Sequence, residues 1–350
     1  MSARKTVLIV GLFSKGALGT SFAAAFQRLG YEVCRFDYDE AYCSCSRLSR
    51  NRVLRRALRS FLWDRMNLIT SELASGLKPS LILAVKAPYL HPETLRNLRL
   101  SLGIPVVNYY PDNPYCGVPW DPRKTSAQRH DLLDALREYS HVWIWQPDMA
   151  ARLRGDGVNA GCMPFACDAE VYHPHPPSRS KTCSECPGDH QVVLVGQHNA
   201  KREDHVRSVR THSVALWGAR WTRIGSQLCD RHHVHREEAF GAVSSRIYSL
   251  SAVSLNIVDD LNIPGHNMRT FEIPASAGVM LSTYTKEQAD IFPENDAACY
   301  YRHKEELDSK IECLLHDDAL RDRISRNALR IAGDHTYERR VASILHELRS

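Results

Sequence analysis

The chain has 350 residues, with 45 Lys and Arg against 40 Asp and Glu and a formal net charge of +5. Two α/β domains, each with its own core, are expected at that length, and shares of 43% apolar and 24% charged residues exclude a fibrous or largely disordered chain. The mild positive charge gives no reason to expect a nucleic-acid partner. Eleven cysteines with no secretory leader in view point to reduced thiols in a cytoplasmic protein. No apolar run approaches the roughly 18 residues that a spanning helix needs.

Thr6 to Gly11 reads as a buried first strand, followed by a helix from about Ser21 to Leu29 that Gly30 ends, then a strand from Glu32 to Phe36. Between strand and helix stands the glycine-rich turn Gly11-Leu-Phe-Ser-Lys-Gly16-Ala-Leu-Gly19. It fits neither phosphate fingerprint, because Ala17 and Leu18 follow Gly16 where a Walker loop needs Lys-Ser/Thr, and Phe13 replaces the second glycine of a dinucleotide loop. Asp37 is placed like the ribose-binding acid of NAD enzymes, but without those glycines a dehydrogenase is the least favoured class. Ser14 and Gly16 are expected to face an acceptor, or merely to turn the chain.

Arg47 to Arg59 holds six arginines around apolar positions at helical spacing. A surface helix with one buried face is favoured there, with a peripheral anionic surface as the alternative. Apolar runs at Leu81–Val85, Val106–Tyr109 and Val142–Trp145 extend the βαβ pattern, so residues 1–172 are expected to form a Rossmann-like domain with a parallel sheet. Two polar residues beyond these strands could act as a general base: Asp112, within Pro111-Asp-Asn-Pro114, and second to it His91. Pro-Asp-Asn-Pro is also strong turn chemistry.

Residues 173–190, rich in Pro and Ser and without apolar periodicity, read as a linker. A second Rossmann-like domain, 191–333, then follows, with strands expected at Gln191–Gly196, Ser213–Trp217, Val253–Val258 and Val279–Ser282. No metal site is expected, since Cys183-x-x-Cys186 lacks a second pair and His232–His235 reads as an exposed polar turn.

The segment from Asn256 to Gly278 joins a strand, a polar loop and the start of a helix near Asn267. Gly265 permits close backbone approach, Asn267 is a capping residue and Arg269 a fixed cation, a combination suited to a diphosphate. Glu272 lies three residues beyond Arg269 and could accept hydrogen bonds from ribose hydroxyls. An ordinary capped helix with an Arg–Glu pair is the competing reading.

Asn267-Met-Arg-Thr-Phe-Glu-Ile-Pro-Ala-Ser-Ala-Gly278, Ile291-Phe292, Lys304-Glu-Glu-Leu307 and His335-Thr-Tyr-Glu-Arg-Arg340 together resemble the CgeB-like glycosyltransferases, named after a spore maturation protein. Gly196 with Arg202, and Met163-Pro-Phe-Ala-Cys-Asp168 with Tyr172-His-Pro174, extend the resemblance from about Val142 onward. It implies a GT-B fold, two Rossmann-like domains facing an interdomain cleft, with residues 334–350 forming a last helix that returns to the first domain.

Transfer of a sugar from a UDP-, GDP- or dTDP-linked donor is then expected, without a cofactor, and without a metal because Arg269 and Arg202 would meet the charge of the departing diphosphate. The acceptor stays open among a small molecule, a polysaccharide precursor and a protein. Gly196, Arg202, Gly218, Asn256, Gly265, His266, Asn267, Arg269 and Glu272 are then the donor-binding set, with Arg202 and Arg269 on the diphosphate, Glu272 on the ribose and Gly218 beside the nucleobase. Glu272 is similar to the second glutamate of a Glu-x7-Glu motif, whose first position is Pro264 in this chain. A nucleotide-sugar epimerase of similar fold and a non-catalytic sugar-nucleotide binder are the alternatives.

Overall fold

A computed structural model of the chain describes residues 5–44, 59–116, 127–176, 191–221, 230–235 and 237–349. The chain divides into two compact units, Met1–Pro164 with Val341–Ser350, and Phe165–Arg340. Residues 165–172 thus count with the second unit, and the end of the last helix counts with the first. Residues 47–58 of the arginine-rich stretch, residues 177–190 of the expected linker, and with them Cys183 and Cys186, lie outside the described residues.

The first unit is built on β1 (Thr6–Gly11), β2 (Glu32–Asp37), β3 (Leu81–Val85), β4 (Val106–Tyr110), β5 (His141–Ile144) and β6 (Ala160–Cys162). These form one parallel sheet in the order β2-β1-β3-β4-β5-β6. Its helices are α1 (Leu18–Arg28), α2 (Tyr38–Ser44), α3 (Arg59–Leu77), α4 (Pro92–Leu100), α5 (Ala127–Glu138) and α6 (Pro147–Gly155). Every residue of β3 and β4 is buried, the signature of a parallel strand covered on both faces.

Helix α1 begins at Leu18, earlier than its apolar periodicity indicates. Gly19 permits this: a methyl group there would lie 2.4 Å from the Leu12 carbonyl oxygen, so only glycine lets the helix start against the turn after β1.

The second unit repeats the plan with β7 (Val192–Val195), β8 (Val214–Trp217), β9 (His233–Val234), β10 (Val253–Asn256), β11 (Met280–Thr283) and β12 (Cys299–Tyr301), in the order β12-β11-β10-β7-β8-β9. Its helices are α7 (Ala200–Ser208), α8 (Ala242–Leu250), α9 (Arg269–Ala275), α10 (Lys286–Ile291), α11 (Leu307–His316) and α12 (Asp318–Ala332), and α13 (Tyr337–Glu347) ends the chain. Val192, Leu194, Leu216, Leu255 and Leu281 from the sheet meet Ile311, Leu314 and Ile324 from the last helices in one core.

The stretch His232–His235 departs from the exposed turn expected of it. Residues 233–234 form strand β9 beside β8, and His232 is buried, its Nδ1 accepting the Val214 N–H at 3.1 Å. Burial pushes that imidazole down to about 4, so it stays neutral and serves as a backbone partner.

Candidate functional site

In an open parallel sheet the strand order reverses at one point, and the crevice beyond the carboxyl ends of the two strands there is where ligands bind. In the second unit that point lies between β7 and β10. Gly196 follows β7, and a methyl group on it would sit 2.5 Å from Arg269 Nη2 and 3.3 Å from Arg202 Nη1. Two guanidinium groups, one from α7 and one from α9, therefore converge on a bare glycine at the switch point.

Each arginine is held by its surroundings. Arg202 is the third residue of α7, whose N-cap Asn199 accepts the Arg202 N–H at 2.8 Å; Asn199 also donates from Nδ2 to Asp259 Oδ2 at 2.7 Å, tying the loop after β7 to the loop after β10. The Arg202 guanidinium donates to the Gln197 carbonyl. Arg269 Nε donates to the Val195 carbonyl, and its guanidinium also reaches the Tyr248 hydroxyl. Burial, then the charge of Arg269, pushes Arg202 below the ordinary guanidinium range, to about 9. A bound anion would relieve that repulsion.

Gly218 follows β8, and a methyl group on it would lie 2.3 Å from the Gly196 carbonyl oxygen, which also accepts the Trp221 indole N–H at 2.7 Å. The two glycines therefore allow the edges of neighbouring strands to close under the arginines. Glu272 follows one turn along α9, 7% exposed, with the Tyr172 hydroxyl donating to its carboxylate. Burial raises it above the usual carboxylate range, against the opposing pull of Arg269.

The other expected donor residues are interior. Asn256 is 0% exposed; its Oδ1 accepts from Asn267 Nδ2 at 2.9 Å, and its Nδ2 faces Thr270 Oγ1 and Gln288 Oε1 at 3.3 Å each. His266 is also 0% exposed: Nε2 accepts the Phe165 N–H at 3.1 Å, and Nδ1 lies 2.7 Å from Glu287 Oε1. Gly265 is buried and donates its N–H to Asn262. Asn256, Gly265, His266 and Asn267 are thus packed into the segment that leads to Arg269.

The helix start is likewise occupied, since Thr270 N–H donates to Asn267 and Phe271 N–H to Met268. The positive charge of this edge comes from the guanidinium groups.

In the first unit the order reverses between β1 and β3. Asp37, at the end of β2, accepts from the backbone N–H groups of Phe13, Asp39 and Glu40 at 3.0, 2.9 and 3.1 Å, so it fastens the glycine-rich turn to α2. Ser14 and Gly16 are exposed in that turn, the Ser14 carbonyl accepting from Ala17 at 3.0 Å. Beyond β3, Lys86 and Ala87 both adopt positive φ, 64° and 40°, in a tight bend. Consecutive non-glycine residues in that region cost energy and cluster at functional sites.

The Lys86 ammonium pairs with Asp112 after β4. Asp112 therefore carries a cation beside it that sequence reasoning missed. His91 caps α4 with its backbone and places Nε2 3.3 Å from Asp64 Oδ1. Asn67 fixes this bend by donating to the Tyr89 carbonyl at 2.8 Å and accepting the His91 N–H at 2.9 Å. Lys86, Asn67, Asn199 and Gln288 carried no motif in the sequence; of these only Asn199, an Asn opening a helix, bears a readable capping signal.

Among the described residues no group of three or more His, Cys, Asp or Glu is gathered to hold a metal, and no helix is long and apolar enough to cross a membrane.

Residues 200–346 match the family model described as "Glycosyl transferase-like". No curated protein matches the chain in sequence. Among solved structures, sucrose-phosphate synthase from Thermosynechococcus elongatus is similar over 99% of both chains at TM-score 0.69 and 12% identity. Anabaena HepE, in complex with UDP-glucose, is similar over 98% of this chain and 100% of its own at TM-score 0.65 and 12% identity. A putative UDP-N-acetylglucosamine 2-epimerase from Listeria monocytogenes gives TM-score 0.59 at 10% identity, over 99% and 98%. Two doubly wound parallel sheets and a likeness of fold along almost the whole length give this chain the GT-B fold, and the stretch that carries Arg202 and Arg269 lies within the glycosyl transferase-like match.

Proposed function

We propose that the chain transfers a sugar from a nucleotide-diphosphate donor to an acceptor hydroxyl, with Arg202 and Arg269 on the diphosphate, Glu272 on the ribose and Gly218 beside the nucleobase. The observation that carries the reading is the convergence of the two guanidinium groups on Gly196 at the switch point. In the transfer step the acceptor oxygen attacks the anomeric carbon as its bond to the diphosphate oxygen breaks, and a base takes the hydroxyl proton. Charge that develops on the departing diphosphate is met by fixed cations, so the step needs neither a metal nor a cofactor. UDP-glucose bound to HepE supports a nucleotide-sugar donor, with UDP, GDP and dTDP as the carriers to compare.

Asp112 is the proposed base, and His91 the alternative. Lys86 competes with a substrate proton for the Asp112 carboxylate, whereas His91 is 43% exposed. The chain is placed with the CgeB-like transferases on the motifs from Asn267 to Arg340, and in the cytoplasm. The acceptor is a small molecule, a polysaccharide precursor or a protein.

A thermal-shift screen with UDP-, GDP- and dTDP-sugars tests the donor, because a ligand that binds the folded state raises its stability with the logarithm of concentration over Kd. One carrier is expected to raise Tm; no shift with any of them at millimolar concentration rejects the reading. The likeness to a 2-epimerase supports a second reading, conversion of the donor sugar itself. Incubating donor alone separates them: an epimerised sugar without acceptor supports the second.

A further inference from the structure

We propose that the groove between α3 and α4 is the acceptor subsite, and that it takes a neutral polyhydroxylated acceptor, a sugar unit rather than a sugar phosphate. This rests on the transfer reading above. The groove encloses about 610 Å³ and lies within the first unit.

Its position follows from the chain path. Only five residues separate the end of β3 at Val85 from His91, which opens α4, so the start of α4 stands at the carboxyl edge of the first sheet. Lys86 and Asp112 stand at the same edge, and the strained bend at Lys86 and Ala87 leads straight to the groove. Asn67, at 6% exposure, pins that bend from beneath. The wall is therefore set before a ligand arrives.

The lining chemistry selects the ligand. Asp64, Ser71, His91, Glu93, Thr94 and Asn97 present carboxylates, hydroxyls, an amide and an imidazole. Carboxylates accept from two hydroxyl donors at once, and the amide and hydroxyl groups both donate and accept, as sugar hydroxyls require. Arg96 also lines the groove, but its guanidinium pairs with Glu138 at 2.5 Å. The lining thus carries two carboxylates against one cation already engaged, and a phosphate would be repelled. Asp64, 3.3 Å from His91 Nε2, orients the imidazole at the groove mouth.

Saturation-transfer NMR on the full chain, with the methyl glycosides of glucose, galactose and N-acetylglucosamine against glucose 6-phosphate, tests this. Calorimetry with UDP, GDP and dTDP runs beside it. A neutral glycoside is expected to bind, and its affinity to fall about tenfold or more in Glu93→Ala, which removes a charged hydrogen-bond acceptor, and in Thr94→Tyr, which fills the groove. Nucleotide affinity should be unchanged in both.

Three results would overturn the assignment: no neutral glycoside binds, glucose 6-phosphate binds as tightly as the glycosides, or both variants retain full glycoside affinity. Failure of the unsubstituted chain to bind any of the three nucleotides breaks the transfer reading and is recorded by the calorimetry alone.

Discussion

The carboxyl edges of the two sheets are built alike and charged differently. In the second unit two arginines stand over Gly196, with Glu272 buried beside Arg269 and Asp259 held by Asn199. In the first unit Asp37 and Asp112 share the edge with Lys86, and Asp64 and Glu93 line the adjoining groove. One doubly wound scaffold thus carries a cationic edge suited to a leaving diphosphate and a mixed, acidic edge suited to hydroxyls. The sheet order fixes where each site lies, and the loop residues fix its chemistry.

The largest expected effect breaks the cationic edge. Arg202→Ala with Arg269→Ala is expected to lower nucleoside-diphosphate affinity about a hundredfold or more in calorimetry, since charge-assisted hydrogen bonds contribute roughly 1.5–3 kcal/mol each. An unchanged affinity would remove the diphosphate from this edge.

Glu272→Gln sharpens the contrast between stability and binding. Burial raises Glu272, so its charge destabilises the fold at pH above its folded value, and the cost vanishes once the carboxyl is neutral in both folded and unfolded chains. At pH 8 the variant should melt at a higher temperature than the unsubstituted chain. The gain should disappear below about pH 4, while nucleotide affinity falls about tenfold. A variant less stable at pH 8 would show the charge to be well compensated.

The smallest effect compares the units under acid. His232 and His335, both in the second unit, are each pushed down to about 4, His232 by burial and His335 by burial and then by Arg340. Their folded values lie below the unfolded one, so the stability they share is present above about pH 6.5 and is lost as pH falls toward 4. Hydrogen exchange at pH 7 and pH 5 should show protection dropping more in Phe165–Arg340 than in the first unit. Equal loss in both units would contradict this.

The long elements were legible because a strand buried on both faces writes a continuous apolar run, as in Leu81–Val85 and Val106–Tyr110. Strands β6, β9 and β12, of two or three residues, carry too little pattern to read. Arg269 lies far along the sequence from Gly196 and Arg202, and the fold brings the three together. The neighbours of Arg269 in the same motif lie deeper than it does. A polar residue in a motif contacts either substrate or its own loop, and only burial distinguishes Asn256 and His266, at 0% exposure, from Arg269. Lys86 was invisible because nothing in a sequence announces which lysine a later aspartate will meet.

Helix α13 starts in one unit and finishes in the other. Val341 and Ile344 are fully buried, and Glu347 accepts the indole N–H of Trp143 at 2.9 Å, within the first unit. On a ribosome the sheet of the first unit is therefore synthesised early, while the carboxylate that meets Trp143 emerges only after all of Phe165–Arg340.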